Sequence, residues 1–489
     1  MNVTRFKKLK KFIVERELQY LLLFLIIFAI LTKSSMGPWN DRSRMATIDS
    51  LVERGTFVID NSVYVWTGDK IYVNGHFYSD KLPVLSFLAA GPYFLVKSLG
   101  VTFQNNEGLV YYLLTFIFVG IPAAITVHFF NKSLKLIGIK KRVRSKLTIA
   151  LGVGTLLLPW TTTFNNHVPA MALCFISFYF LLKSKFQVNK KMKKQVTIGV
   201  IIGILVPLLF LSYPPPTASS QLGFSLFILA LGAIIIELWI LVGRIAVSFA
   251  LTPRMINIFL AGFLVSLGAT IDVIVGGVFF VLFLVYILWN RFERKSAIIF
   301  LIGVLLPFLL HCILNIQITG GILPAQFVPE YFQYPGSAWS TETLSGFLSH
   351  PNLTSLLTYA FHSLFGYSGF FSYSPVLLIF FFAIPQIRHR LQKEGAIIIL
   401  ATIILLGFYI LKTDNYGGWS YSIRWWVPLI PFLLFFGSLY LQKQKSFKIF
   451  YLLLAISIVI SAIGVINPWT NMGLGPIPIL NNLKQLLGW

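Results

Sequence analysis

The segment LQYLLLFLIIFAILT (residues 18–32) carries no charge, and PWNDRSRMATIDSLVERGTF (residues 38–57) follows it closely. The first reads as a membrane-spanning helix. The second packs Asp41, Arg42, Arg44, Asp49, Glu53 and Arg54 into a short stretch, in a chain where charged residues are 11% and hydrophobic ones 56%. A greasy span with a charged segment at its exit is the unit from which the rest of the chain can be read.

The mean hydropathy of +0.79 over 489 residues lies far outside the soluble range. Apolar runs separated by short polar segments recur along the chain, without the alternation of barrel strands, so the class is an all-α polytopic membrane protein. The net charge of +24 forms no single patch, which argues against nucleic acid as a partner. It gathers in six clusters: Arg5 to Arg16, Lys132–Lys146, Lys183–Lys194, Arg291–Lys295, Arg388–Lys393 and Lys443–Lys448. The positive-inside rule places all six in the cytoplasm. That requires about thirteen transmembrane helices, roughly 18–33, 109–131, 147–161, 169–183, 197–213, 223–243, 256–271, 273–289, 297–316, 370–387, 396–411, 425–441 and 449–466. In the plasma membrane the N-terminus is expected on the cytoplasmic side and the C-terminus outside, and the first apolar run is expected to be an uncleaved span, since no clear A-x-A site follows it. The whole of 1–489 then reads as one integral membrane domain without a separate soluble one, with long outer segments at 34–108 and 317–369. Cys174 and Cys312 both lie in apolar runs, which speaks against a disulfide framework.

Within 34–108, Met45, Ile48, Leu51 and Val52 recur at helical spacing, predicting an amphipathic helix on the outer membrane surface. TFVIDNSVYVWTGDKIYVNGHFYSDK (56–81) holds β-prone runs broken by turn dipeptides, predicting a small β-hairpin. The apolar segment after Pro83 reads as a re-entrant or juxtamembrane helix, because a full span there would put the next basic cluster outside.

Asp41, just beyond the first span, is placed to take a proton from an acceptor hydroxyl at the membrane boundary. Lys81, where the chain turns back towards the membrane, and Arg424, at the top of the twelfth expected span, hold matching positions, and two interfacial cations suit a phosphate whose hydrophobic tail lies in the bilayer. Asp272 interrupts an apolar stretch, as a loop tip or a buried partner. Glu330, in FVPEYFQYPGSAW, reads as an acceptor-site or loop-structuring residue. His167 and His362 have no partners at metal spacing, so no metal ligands are assigned and a divalent ion is left open.

Three segments resemble the GT-C superfamily of polyprenyl-phosphate-sugar-dependent glycosyltransferases, which includes protein O-mannosyltransferases and bacterial aminoarabinose transferases. They are WNDRSRMATIDSLVERGTF after the first span, FYSDKLP (77–83) and GGWSYSIRWWVPLIPF (417–432). The resemblance implies Asp41 as catalytic carboxylate and Lys81 as ligand of the donor phosphate, with Arg424 as a looser second contact. It implies Tyr78 as a residue lining the substrate, and Asp80, Asn166, His167, Glu330 and Tyr421 are the further candidates for that lining. Where the family commonly carries a second acidic residue before the fourth span, this chain has WTTTFNNHVPA, with Asn165, Asn166 and His167. The function so implied is transfer of a sugar from a polyprenyl-phosphate donor to a lipid, glycan or protein acceptor at the outer face, with inversion. The competing reading is a transporter or flippase of lipid-linked sugars, a class that sets its ionisable residues along a path at the bilayer midplane.

Overall fold

A computed structural model describes residues 16–186, 252–290, 294–340, 344–348 and 350–488. The expected spans 197–213 and 223–243 lie outside the described residues, as do most of the N-terminal basic arm and parts of two other basic clusters.

The count of about thirteen spans is corrected. Among the described residues seven helices are long and apolar enough to cross a membrane: Phe103–Leu136, His167–Phe186, Pro253–Ile271, Lys295–Thr319, Gln392–Lys412, Arg424–Leu441 and Lys448–Ile466. Leu18–Leu31 and Val273–Trp289 are apolar but shorter. Two expected spans are broken by backbone chemistry that apolarity hides. The run 147–161 splits into Lys141–Val153 and Leu157–Trp160, with Gly154 ending the first helix. The run 370–387 splits at Ser374, whose φ of −140° and ψ of 64° are non-helical, as the residue before a proline tends to be. Beyond Ser374 the chain makes a 3-10 turn, Pro375–Leu378, and then the short helix Ile379–Arg390.

The Phe103–Leu136 helix survives its own proline. It widens into one π turn at Phe116–Gly120 just before Pro122, which has no N–H to give the ladder.

The segment Trp39–Arg54 is a helix, but the amphipathic helix on the membrane surface is also corrected. Eleven of its sixteen residues, Asp41 and Asp49 among them, are buried. It packs under the Pro83–Ser98 helix, where its charges find partners instead of solvent. Arg54 Nη2 meets Asp49 Oδ2 at 2.5 Å, and Lys97 Nζ meets Glu53 Oε2 at 2.7 Å. Gly55 closes the helix at φ 67°, a conformation glycine adopts without strain. Between these two helices lies a two-stranded antiparallel hairpin, β1 (Lys70–Val73) and β2 (His76–Ser79). Its turn is Asn74–Gly75 with φ of 49° and 88°, the positive pair that a two-residue turn needs to match strand twist.

Membrane helices have no hydrophobic drive to associate, so close backbone approach and interhelical hydrogen bonds hold them together. Pro253–Ile271 meets Arg294–Thr319 through Gly262 and Gly303: a Cβ on either would fall 2.1 Å from the Phe300 carbonyl or 2.3 Å from the Phe259 carbonyl. Ser177 Oγ donates to the Ala261 carbonyl at 2.7 Å and Ser266 Oγ to that of Val304 at 2.9 Å. Phenylalanine rings fill the remaining depth, with Phe279 stacked on Phe432 at 4.6 Å between centroids.

The helix crossing at Gly262 is therefore sensitive to size. Gly262→Leu should destabilise the protein by about 2 kcal/mol, because it overpacks against backbone that cannot yield. Thermal unfolding in detergent measures this, and an unchanged midpoint would contradict the crossing.

Candidate active site

The site is assembled where the Trp39–Arg54 helix begins. Asp41 stands in the first turn, where the helix dipole favours a carboxylate. Its side chain is fully buried. All its hydrogen-bond donors converge on one oxygen. Oδ2 accepts from Tyr111 OH at 2.5 Å, from Thr163 Oγ1 and Trp469 Nε1 at 3.1 Å each, and from the Gly37 amide at 3.2 Å. Oδ1 is buried without a partner. A buried carboxylate oxygen left unpaired is costly, a state that Asp49 Oδ1 and Glu394 Oε2 share elsewhere in the chain. Burial pushes the Asp41 carboxyl up to about 6, against the pull of the hydrogen bonds from Tyr111, Thr163 and Gly37 and of the Arg44 charge.

Beside this carboxylate lies a cavity of ≈ 730 Å³. Gly37, Thr163 and Trp469, three of the four donors to Asp41, form part of its wall. Lys33, Arg42 and Arg424 bring positive charge to it and Asp69 negative charge. Arg424 has no hydrogen-bonded partner at its buried Nε, and its guanidinium lies 4.6 Å from the centre of the Trp469 ring. Lys33 is partly committed, with Nζ 2.8 Å from the Ile466 carbonyl, and burial lowers its pKa. Arg42 lies over Trp66 at 4.2 Å. Indoles of Trp39, Trp339, Trp419 and Trp469 and amides of Asn40, Asn467, Asn471 and Gln485 line much of the rest.

Lys81 lies outside the cavity lining. Its Nζ is 2.8 Å from both Asp69 Oδ2 and Asp80 Oδ2, so its charge is shared between two carboxylates, one of which reaches the cavity wall. Burial raises the Asp80 pKa while Lys81 lowers it. Ser43 Oγ donates to Asp80 Oδ1 at 3.2 Å, tying this cluster to the Trp39–Arg54 helix.

Behind Asp41 runs a polar chain. Arg44 donates to Asn40 Oδ1 at 2.5 Å and to Asn166 Oδ1 at 2.9 Å. Asn166 Nδ2 donates to Asp272 Oδ2 at 3.0 Å, and His167 Nδ1 lies 2.8 Å from the same oxygen. Asp272 also caps the Val273–Trp289 helix by accepting from the Val275 amide at 3.4 Å, so it is both a helix junction and a buried partner. A carboxylate does stand beside Asn166 and His167, supplied from another helix pair.

The remaining candidates lie apart from the cavity lining. Tyr421 is fully buried with its hydroxyl donating to the Ile460 carbonyl at 2.7 Å. Tyr78 sits half-buried in β2 opposite Ile71, and Glu330 is exposed on the 3-10 turn Pro329–Phe332. Among the described residues no three His, Cys, Asp or Glu side chains are gathered to hold a metal. Tyr111, Thr163 and Trp469 were missed by sequence reasoning. Their separations from Asp41 of 70, 122 and 428 residues leave no local pattern to find.

Gly37 is fixed by this packing. A Cβ there would lie 2.3 Å from Trp469 Cδ1 and 2.8 Å from Asp41 Oδ2. Gly37→Ala should lower unfolding stability by roughly 1–3 kcal/mol. Calorimetry in detergent checks it, and a wild-type value would mean that indole and carboxylate do not close on Gly37.

No protein-family model matches the chain, and no curated protein matches it. Among solved structures it is similar to ArnT from Cupriavidus metallidurans in the apo state, with a TM-score of 0.47, 12% identity, and coverage of 88% of this chain and 60% of that one. The same enzyme bound to undecaprenyl phosphate gives a TM-score of 0.42 at 12% identity, with coverage of 88% and 60%. The Archaeoglobus fulgidus oligosaccharyltransferase in the apo form gives 0.40 at 11% identity, with 96% of this chain and 56% of that one. The chain spans less than two thirds of these proteins' lengths.

Proposed function

We propose that this membrane protein is a glycosyltransferase that moves a sugar from a polyprenyl-phosphate donor to the hydroxyl of a lipid, glycan or protein acceptor at the outer face of the plasma membrane. The observation that carries the reading is the pairing of two unsatisfied groups at one cavity: Asp41 Oδ1 behind its wall and Arg424 Nε in its lining. One is a base in want of a proton donor, the other a cation in want of an anion. The indole and amide lining supports the same reading, since flat aromatic faces and amide pairs suit sugar rings better than acyl chains do.

The chemical steps use only the groups present. The acceptor hydroxyl gives its proton to Asp41 Oδ1 as its oxygen attacks the anomeric carbon. The bond from that carbon to the phosphate oxygen breaks on the opposite face, and polyprenyl phosphate leaves with the electron pair. Direct displacement inverts the anomeric centre. Arg424 and Lys33 stabilise the charge that grows on the leaving phosphate. Lys81, held between Asp69 and Asp80, is assigned to fixing Asp69 at the cavity wall. Arg44, through Asn166, Asp272 and His167, anchors the base helix to the bundle.

The reading is tested by donor consumption in membranes carrying the chain. A transferase releases polyprenyl phosphate and forms a glycosylated product, whereas a flippase leaves the sugar–phosphate bond intact. Asp41→Asn should lower turnover by about 10²–10⁴-fold, and Arg424→Gln should weaken donor binding by about tenfold or more. The base acts only when ionised. With its pKa raised to about 6, turnover should be constant well above that pH and fall towards tenfold per unit below it. A flat acid limb would remove Asp41 from the base role.

A further inference from the structure

We infer that Trp469 is the positioning residue of this site, holding Asp41 through its N–H and Arg424 through its ring face, an assignment that rests on the transferase reading above. The indole touches both ends of the chemistry at once. Its Nε1 donates to Asp41 Oδ2 at 3.1 Å and to Thr163 Oγ1 at 2.8 Å, while the Arg424 guanidinium lies 4.6 Å from its ring centre.

The N–H, shared between Thr163 Oγ1 and Oδ2, adds the indole to the donors on that oxygen, while Oδ1, also buried, is left with none. A ring that serves both residues also accounts for Asp41 and Arg424 forming no ion pair with each other, although Asp41 is buried, Arg424 half-buried, and each has an unsatisfied atom. A direct ion pair would satisfy base and cation together and leave neither for substrate. Cation–π contact holds the guanidinium in place while its hydrogen-bonding edge stays available.

The protein invests polar structure in placing this ring. Trp160 meets it edge-on at 4.9 Å. The preceding Pro468 carbonyl accepts from the Tyr421 amide at 2.8 Å. The next residue, Thr470, donates to the buried Asn482 Oδ1 at 3.0 Å, and Asn482 Nδ2 returns to the Ile463 and Asn467 carbonyls at 3.0 Å each. The segment after the last span is thereby locked to that span's end, and Pro478–Leu487, which carries Asn482, serves as its clamp.

Two variants of the full chain separate the two contacts. Trp469→Phe keeps a ring over Arg424 but removes the N–H, and Trp469→Leu removes both. The first readout is the infrared carboxyl band that disappears in Asp41→Asn, followed against pH; the charged and titratable groups that face it are Arg44, Arg424 and Tyr111. Trp469→Phe should move its midpoint upward by about half to one pH unit, because a hydrogen bond to the ionised form is lost. The second readout is binding of undecaprenyl phosphate in nanodiscs, followed by native mass spectrometry. Trp469→Phe should bind nearly as wild type, and Trp469→Leu about three- to tenfold more weakly.

If the wild type binds the probe, but the band stays put in Trp469→Phe or Trp469→Leu binds as tightly, the positioning role is overturned. If the wild type does not bind the probe at all, the donor reading fails, and an unmoved band in Trp469→Phe would still overturn the positioning role by itself.

Discussion

The arrangement depends on one buried carboxylate whose two oxygens are treated unequally. Removing Asp41 from water costs free energy, and the fold meets that cost at Oδ2 alone, with donors from a helix-entry glycine, two hydroxyls and an indole. Each donor comes from a different part of the chain. The carboxylate is thus the point on which the first segment, the Phe103–Leu136 helix, the turn before His167 and the segment after the last span all converge. Holding them together leaves Oδ1 dry, unpaired and raised in basicity, a state suited to accepting a proton.

The cations are disposed by a similar logic. Lys81 is balanced by two carboxylates, and Arg44 is absorbed into amides and the Asp272 junction. Arg424 is supported by an aromatic face, which attracts a cation without cancelling its charge. Among these three, only Arg424 combines a place in the cavity lining with an unsatisfied donor, which is why the phosphate is assigned there. The proposed chemistry divides between a base made reactive by burial and a cation kept available by its choice of partner.

Much of this was within reach of the sequence, and the exceptions have identifiable causes. Apolar runs located the helices Pro253–Ile271, Gln392–Lys412 and Lys448–Ile466, since hydropathy registers what a bilayer requires of a straight helix. It does not register a glycine exit at 154 or the backbone turn before Pro375, so two runs of sufficient apolarity are not single continuous helices. The same limit applies to Trp39–Arg54. Spacing gave its helical form, but charge on one face reads as exposure unless the partners on Pro83–Ser98 are known. Position along the chain singled out Asp41 and Arg424. Trp469 had no such signal, because its importance lies in a hydrogen bond across 428 residues.

The central claim is that base and phosphate cation serve one cavity on the two sides of Trp469. Electron cryo-microscopy of the full chain in nanodiscs loaded with a polyprenyl phosphate tests it most directly. The account predicts phosphate density against the Arg424 guanidinium, on the cavity side of the indole, with Lys33 as the neighbouring cation. Phosphate density seated on Lys81 between displaced Asp69 and Asp80 side chains, or lying between helices away from this cavity, would contradict it.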